Sequence, residues 1–199
     1  MPRSLGSCRA SGPSPERKAT ITKHLRGKDL SSLLATPEAA SRSEVRDGAL
    51  YCYNMFAYID GVFMQEAVAA LQQPDGKARL KEAAKAGTLR PDLTKRGAIR
   101  ALFDGQYRFV RYFSPRQHNN PTSIETLFRL NDVELYDIEH DPLERNNLAL
   151  DRERYADVLA AMNSKLNVLI QREVGEDVGQ MLPGGVDGGW VVTDAVYDV

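Results

Sequence analysis

The chain has 199 residues, of which 42% are hydrophobic and 27% are charged, as in an ordinary globular protein. No apolar run approaches the ~20 residues that cross a bilayer, no secretory signal is recognisable, and two cysteines exclude a disulfide scaffold or zinc cluster. The net charge of −1 hides a gradient, because residues 1–28 carry seven Lys or Arg against one acidic residue, whereas residues 131–199 carry five against fifteen.

The two ends of the chain differ in composition from its middle. Residues 1–20 are basic and rich in Pro, Gly and Ser, which predicts a disordered arm. The arm lacks aromatic residues that could stack on bases, so nucleic acid is a disfavoured partner. Residues 21–174 are predicted to hold the ordered region. Residues 175–199 form a glycine-rich, loosely ordered tail, from which Trp190 can dock on the ordered region.

The first half of the ordered region predicts one strand and two helices. Residues 49–58 are apolar and aromatic, which favours a well-buried strand, although a buried helical piece fits as well. A surface helix is expected over 77–86, with Gly87 just after its end. Before it, a helix is indicated by apolar residues that share one helical face, namely Phe63, Met64, Ala67, Val68 and Leu71.

A β-hairpin is the clearest local signal. Strands over 98–103 and 106–113 flank Asp104-Gly105, a pair that favours a two-residue type I′ turn. Both faces of the second strand carry apolar residues, so this strand is expected inside a sheet rather than at its edge.

The rest of the ordered region completes an α+β fold. A short helix over 123–130 and a strand over 133–137 precede a long amphipathic helix over about 152–173. For this helix, Asp151 is the expected N-cap, Leu150 and Tyr155 the expected hydrophobic staple, and Gly175 the closing residue. The predicted architecture is a small antiparallel sheet packed against the long C-terminal helix, with disordered termini.

The residues themselves argue against an autonomous active site. The three histidines, His24, His118 and His140, are isolated, so each is interpreted as a surface polar residue. Cys52 is interpreted as a small buried residue. Neither a nucleophile elbow nor a glycine-rich phosphate loop is present, and the acidic run 132–144 lacks the EF-hand pattern. No metal or cofactor is expected to be bound by this chain.

One stretch is specific to a known family. Residues 134–149, ELYDIEHDPLERNNLA, closely resemble the ELYDLxxDPxExxNLA signature near the C-terminus of sulfatases of the alkaline-phosphatase superfamily. Residues 96–112 are similar to the hairpin that precedes this signature in the family. Residues 25–34 are similar to the segment that follows the last core strands of the sulfatase domain. The three landmarks occur in family order and cover about 24–172.

The resemblance implies a C-terminal region without the family's chemistry. An intact sulfatase binds calcium through Asp and Asn ligands, and its nucleophile is a formylglycine made within a C-x-P/A-x-R motif. The nearest match here starts at Cys8, has Gly12 in place of the arginine and precedes the C-terminal landmarks, so we interpret it as accidental. No catalytic or metal-binding residue can be carried over. The expected partner is the missing catalytic part, and the substrate in the intact family is a sulfated small molecule or glycan. Localisation stays open, although intact relatives are often exported.

Three residues are candidates for positions near such a substrate. Arg108, Arg111 and His118 are chosen because cations bind sulfate oxygens well. The competing interpretation is that the arginines are solvated strand residues or pair with the acidic C-terminal region. Two other functions stay open: a non-catalytic module that binds anionic polymers such as sulfated glycans, and a non-functional, aggregation-prone chain.

Overall fold

In the computed structural model, residues 14–23, 30–39, 46–54, 60–182 and 185 are described. The chain divides into two compact units, 1–39 and 40–199.

The first unit contains a helix inside the predicted disordered arm. Its elements are α1 (Pro15–Thr22), α2 (Ser31–Ala35) and a 3-10 turn (Pro37–Ala39). Helix α1 thus covers the end of the predicted arm, and residues 1–13 lie outside the described residues. The cause is local: Ser14 caps the helix by accepting a hydrogen bond from the backbone N–H of Arg17, and Pro15 follows it. Serine before proline is a strong helix start, which overrides the unfavourable composition of the segment.

The second unit confirms the α+β class. Its sheet has four antiparallel strands in the order β1-β2-β3-β4, so β3 lies inside the sheet as predicted. The elements in chain order are β1 (Ala49–Asn54), α3 (Gly61–Leu71), α4 (Gly76–Lys85), β2 (Ala98–Phe103), β3 (Tyr107–Phe113), α5 (Ile124–Leu130), β4 (Asp132–Asp137), a 3-10 turn (Leu148–Leu150) and α6 (Ala156–Glu173).

The long C-terminal helix α6 packs on one face of the sheet, which we call the helix face. Leu102, Phe109 and Leu135 point from β2, β3 and β4 into this contact and are fully buried. They join the apolar stripe of α6 in one hydrophobic core, whose helix residues are Leu159, Met162, Leu166, Leu169 and Ile170. The predicted packing of helix on sheet is thus confirmed.

The opposite side of the sheet, which we call the groove face, is exposed in part. Tyr51 and Tyr53 of β1 are 56% and 42% exposed. Cys52, the cross-strand partner of Arg100, points to the helix face and is exposed as well. The predictions of a well-buried strand and a buried cysteine are therefore wrong. The apolar composition of β1 predicted burial, but composition does not say where a strand lies in its sheet. Among the described strands β1 pairs only with β2, so it lies at the edge of this sheet. The predicted extension of this strand over 55–58 lies outside the described residues.

The two helices after β1 form where they were expected. Gly87 has a φ of +69° directly after α4, which confirms it as the closing glycine. The apolar face of α3 is less buried than its pattern predicts, because Ala67 is its only buried residue while Val68 and Leu71 are exposed.

The hairpin turn differs from the prediction. The pairing of Phe103 with Arg108 makes Gly105-Gln106 the two-residue loop, and Asp104 precedes it. Gly105 alone has a positive φ, +101°, which is the type II′ pattern with glycine first. The Asp104 carboxylate fixes this turn, since its Oδ1 accepts hydrogen bonds from the backbone N–H groups of Gln106 and Tyr107.

Helix α6 begins later than predicted and ends as predicted. Asp151 caps a preceding turn by accepting from the backbone N–H of Arg154, and the helix itself starts at Ala156. Leu150 is 83% exposed, so the predicted staple is wrong. Gly175, with a φ of +89°, closes the helix. After it, residues 176–182 contact the sheet region of the same unit through Asp177, and Trp190 lies outside the described residues.

Candidate functional site

The three candidate residues do not share one site. Arg108 and Arg111 are three positions apart on a strand, so their side chains point to opposite faces of the sheet. Arg108 lies on the groove face and pairs with the Glu144 carboxylate at 2.7 Å. This pairing agrees with the competing interpretation, in which the arginine contacts the acidic C-terminal region.

Arg111 is buried under α6 and only partly paired. Its Nη1 donates to the Oδ1 atoms of Asn163 and Asn167, both at 2.9 Å. Each of these amides donates in turn to the Pro121 carbonyl oxygen, which fixes its orientation. The Nε and Nη2 groups of Arg111 are buried and have no hydrogen-bond partner in the part of the chain that the structure describes.

The electrostatic environment of Arg111 is unfavourable for a cation. Burial and the nearby Arg100 guanidinium lower the pKa of Arg111 to about 10, and only the Asp177 carboxylate acts in the opposite direction. The guanidinium stays charged at neutral pH, so a buried positive charge persists with amide oxygens as its direct partners.

Arg100, which the sequence analysis did not select, is the best-paired residue of this region. It is the cross-strand partner of Arg111 and is equally buried. Its Nε and Nη2 hold the two oxygens of the Asp177 carboxylate at 2.7 and 2.9 Å. Its Nη1 donates to the Ile99 carbonyl oxygen and to Asn54 Oδ1.

His118 belongs to the same cluster rather than to the surface. Its side chain is 3% exposed, so its assignment as a surface residue is wrong. Nδ1 lies 2.9 Å from Asp177 Oδ1, at ion-pair distance but without hydrogen-bond alignment. The buried Nε2 has no hydrogen-bond partner within the described ranges. The ring packs edge-on against Phe113, and Gly179 lies so close that a Cβ there would be 3.0 Å from His118 Cδ2.

Asp177 therefore sits between Arg100 and His118 at the end of the sheet. Burial raises the pKa of Asp177, but the contacts from His118 and Arg100 outweigh burial and hold this pKa well below its ordinary value. We call Arg100, Arg111, His118 and Asp177 the arginine cluster. As an arrangement of donors around one carboxylate, it is suited to holding an anion.

Side chains of the sulfatase-like signature form hydrogen bonds with backbone groups. The Oδ1 of Asn147 accepts from the backbone N–H groups of Leu135 and Ala149, both at 3.0 Å, and its Nδ2 donates to the Val133 carbonyl oxygen at 3.3 Å. The side-chain amide of Asn147 thus satisfies three backbone groups of β4 and the adjoining turn. Asp141 similarly accepts from the backbone N–H of Asn146. Through Asn147, the signature thus connects the segment after β4 to the outer edge of that strand.

The other histidines and the possible metal ligands do not belong to the arginine cluster. His140 is exposed, as expected, and contacts the Asp137 carboxylate. Within the described ranges no group of three or more His, Cys, Asp or Glu could hold a metal ion, and none of the described helices is long and apolar enough to cross a membrane. His24 and the motif from Cys8 lie outside the described residues, and the calcium and formylglycine of the intact family stay expectations.

No protein-family model matches this chain, and no curated protein matches it. The resemblance to sulfatases therefore rests on the residues of the three sequence landmarks alone.

Proposed function

We propose that this chain is the non-catalytic C-terminal part of a sulfatase-like sulfuric ester hydrolase. The observation that carries the proposal is the role of the signature 134–149. Its Asn147 bonds three backbone groups on β4 and the adjoining turn, so its asparagine serves the architecture and not a reaction. A signature whose side chains hold backbone groups marks an element of the fold. A C-terminal part would keep such an element even when the nucleophile lies elsewhere.

We propose further that the groove face packs against the catalytic part of the enzyme. This face carries a groove of about 500 Å³. Its exposed large apolar residues are Tyr51, Tyr53 and Phe103. An exposed apolar patch of this kind is typical of a surface that is covered by a partner.

The charges of the groove face support a protein partner over a polyanion. The single arginine that lines the groove, Arg108, is already paired with Glu144. Glu134 accepts from the Tyr112 hydroxyl, and burial together with this carboxylate raises the pKa of Tyr112 to about 12. A sulfated polymer would meet two carboxylates around one neutralised cation, which is unfavourable.

Aryl sulfate turnover tests the catalytic half of the proposal. The purified chain is incubated with a chromogenic aryl sulfate, with and without added calcium. We expect hydrolysis at the background rate in both conditions. Calcium-dependent turnover above background would show that the chain holds its own nucleophile and metal site, and would refute the proposal.

A second candidate function follows from the charge of the N-terminal region. The net charge of +6 over residues 1–28 favours binding of an anionic polymer such as a sulfated glycan through non-specific electrostatics. Retention on immobilised heparin at low salt, lost at moderate salt and after deletion of 1–28, supports this function. A chain that flows through at low salt excludes it.

A further inference from the structure

We propose that Arg100, Arg111 and His118 form a binding site for a sulfate-like tetrahedral oxyanion, and that Asp177 of the chain itself occupies this site. The proposal concerns the helix face of the sheet. It does not depend on the proposed function, which concerns the signature and the groove face.

The contacts of Asp177 resemble those of a bound oxyanion. Its two oxygens are held by a side-on pair of Arg100 nitrogens, which is the bidentate geometry that guanidinium groups use for carboxylates, sulfates and phosphates. One of these oxygens also faces His118 at 2.9 Å. An internal carboxylate thus fills the position that a small anion would take.

The donors exceed what a carboxylate can satisfy. Both oxygens of Asp177 are used by Arg100 and His118, while Nε and Nη2 of Arg111, which can only donate, are buried without a hydrogen-bond partner among the described residues. Leaving a buried donor unpaired costs free energy, so such groups are uncommon in folded proteins. A tetrahedral anion has four oxygens, and the additional two give acceptors to donors that Asp177 leaves unpaired.

The charge balance of the arginine cluster also favours a dianion over a single carboxylate. Two buried guanidinium groups face one carboxylate, which leaves at least one positive charge uncompensated. The lowering of the pKa of Arg111 by burial and by Arg100 reflects this excess. A dianion in place of the single carboxylate would balance both arginines.

Asp177 is carried by a short segment that does not belong to the main hydrophobic core. The segment 176–182 follows Gly175, where the positive φ ends α6, and it precedes no further strand among the described residues. In the part of the chain that the structure describes, its ion pairs are those of Asp177, while Met181 contacts Asn54 and Leu182 is buried. Displacement of the carboxylate by an external anion would therefore loosen the segment and leave the core around α6 in place.

The two arginines favour a tetrahedral dianion over a carboxylate. Once Asp177 has left, Arg100 and Arg111 offer only donors, which suit an anion with several free oxygens. His118 donates or accepts according to its tautomer, so the site does not separate sulfate from phosphate. We therefore expect both tetrahedral anions to bind more tightly than formate.

Removal of the internal carboxylate tests the site. The thermal unfolding midpoint of Asp177→Ala is measured in sodium sulfate, phosphate, formate and chloride at equal ionic strength. At a sulfate concentration about 100-fold above Kd, binding raises the midpoint by about 5–10 °C. Because sulfate stabilises most proteins by exclusion from their surface, Asp132→Ala, which removes an exposed partner of Arg96, gives the reference shift.

The outcomes separate the alternatives. A sulfate shift in Asp177→Ala that exceeds both the formate shift and the shift of Asp132→Ala, and that disappears in Asp177→Ala/Arg111→Met, supports the site. Equal shifts for sulfate and formate show a simple carboxylate pocket and refute the proposal, as does a shift no larger than that of Asp132→Ala. If Asp177→Ala is unfolded in chloride, sulfate must restore its folded near-ultraviolet signal, and failure to do so refutes the proposal as well.

Discussion

Arg100 and Arg111 are direct partners across β2 and β3, and each is about 1% exposed. Like charges directly opposite one another destabilise a sheet. The pair persists because Asp177 holds Arg100 and two asparagines hold Arg111. The two arginines therefore have different energetic roles, although they look equivalent in the sequence.

Substitution of the two arginines is expected to give unequal losses of stability. Arg100→Met leaves the Asp177 carboxylate buried with only His118 beside it, and breaking a buried pair in this way costs about 3–5 kcal/mol. Arg111→Met removes a poorly paired charge and orphans amide oxygens, for a cost below about 2 kcal/mol. Urea denaturation gives both free energies of unfolding. A loss for Arg111→Met as large as that for Arg100→Met would contradict the assignment of Asp177 to Arg100.

Asn147 is expected to be the critical side chain of the signature. Asn147→Leu removes the acceptor of two backbone N–H groups and the donor to one carbonyl, and we expect a loss of about 2–3 kcal/mol in the free energy of unfolding. Asn147→Asp keeps the acceptor and should lose less. The neighbouring exposed Asn146→Leu is the control, expected within about 0.5 kcal/mol of the wild type. Equal losses at 146 and 147 would refute the role.

Two glycines that begin helices provide a matched comparison of packing. A Cβ at Gly76, the first residue of α4, would lie 2.5 Å from the Ala70 carbonyl oxygen and 2.7 Å from Leu71 Cα, and backbone atoms cannot easily move away. A Cβ at Gly61, the first residue of α3, would meet nothing within 4 Å. We therefore expect Gly76→Ala to lower the thermal midpoint and Gly61→Ala to leave it unchanged or raise it slightly. The reverse order would contradict the close contact of α3 and α4.

The carboxylate of Asp60 makes the stability of the second unit dependent on pH. Its hydrogen bond from Lys95, followed by the one from the backbone N–H of Asp92, lowers the pKa of Asp60 from 3.8 to about 2. Since the folded-state pKa lies below the unfolded one, the stabilisation is complete above pH 4 and is lost as the pH falls toward 2.

Asp60→Asn retains a cap for α3 but lacks the charge. Its deficit in unfolding free energy relative to the wild type should therefore be constant near neutral pH and should shrink between about pH 4 and pH 2. Urea denaturation at a series of pH values measures this deficit. A deficit that does not change between pH 4 and pH 2 would contradict this prediction, because it would show that the folded state does not favour the ionised carboxylate of Asp60 over the protonated one.

Much of the fold was predictable because its signals are local and periodic. The stripe of α6 and the two apolar faces of β3 specified the helix on the sheet and the interior strand. The helix α1 was missed because its start signal, Ser14-Pro15, stands within a composition typical of disorder. The exposure of β1 depends on whether a second strand pairs with its outer edge. The amino-acid composition of β1 carries no information on this pairing.

The arginine cluster was not predictable for a specific reason. A type I′ turn at Asp104-Gly105 would pair Arg100 with Phe109, whereas the observed turn at Gly105-Gln106 pairs it with Arg111. The choice of turn thus decides whether two arginines meet on the helix face. The acidic member of the cluster, Asp177, is 77 residues from Arg100 along the chain, and no local pattern connects them.

Complementation tests the central claim most directly. The chain is mixed with the catalytic region of a sulfatase produced without its own C-terminal part, and complex formation and aryl sulfate turnover are measured together. We predict co-elution and turnover above that of the catalytic region alone. Phe103→Glu on the groove face should abolish both, whereas Val168→Glu, at an exposed position of α6, should abolish neither. A catalytic region that gains no activity and binds no wild-type chain, or a complex indifferent to Phe103→Glu in a folded protein, would contradict the account.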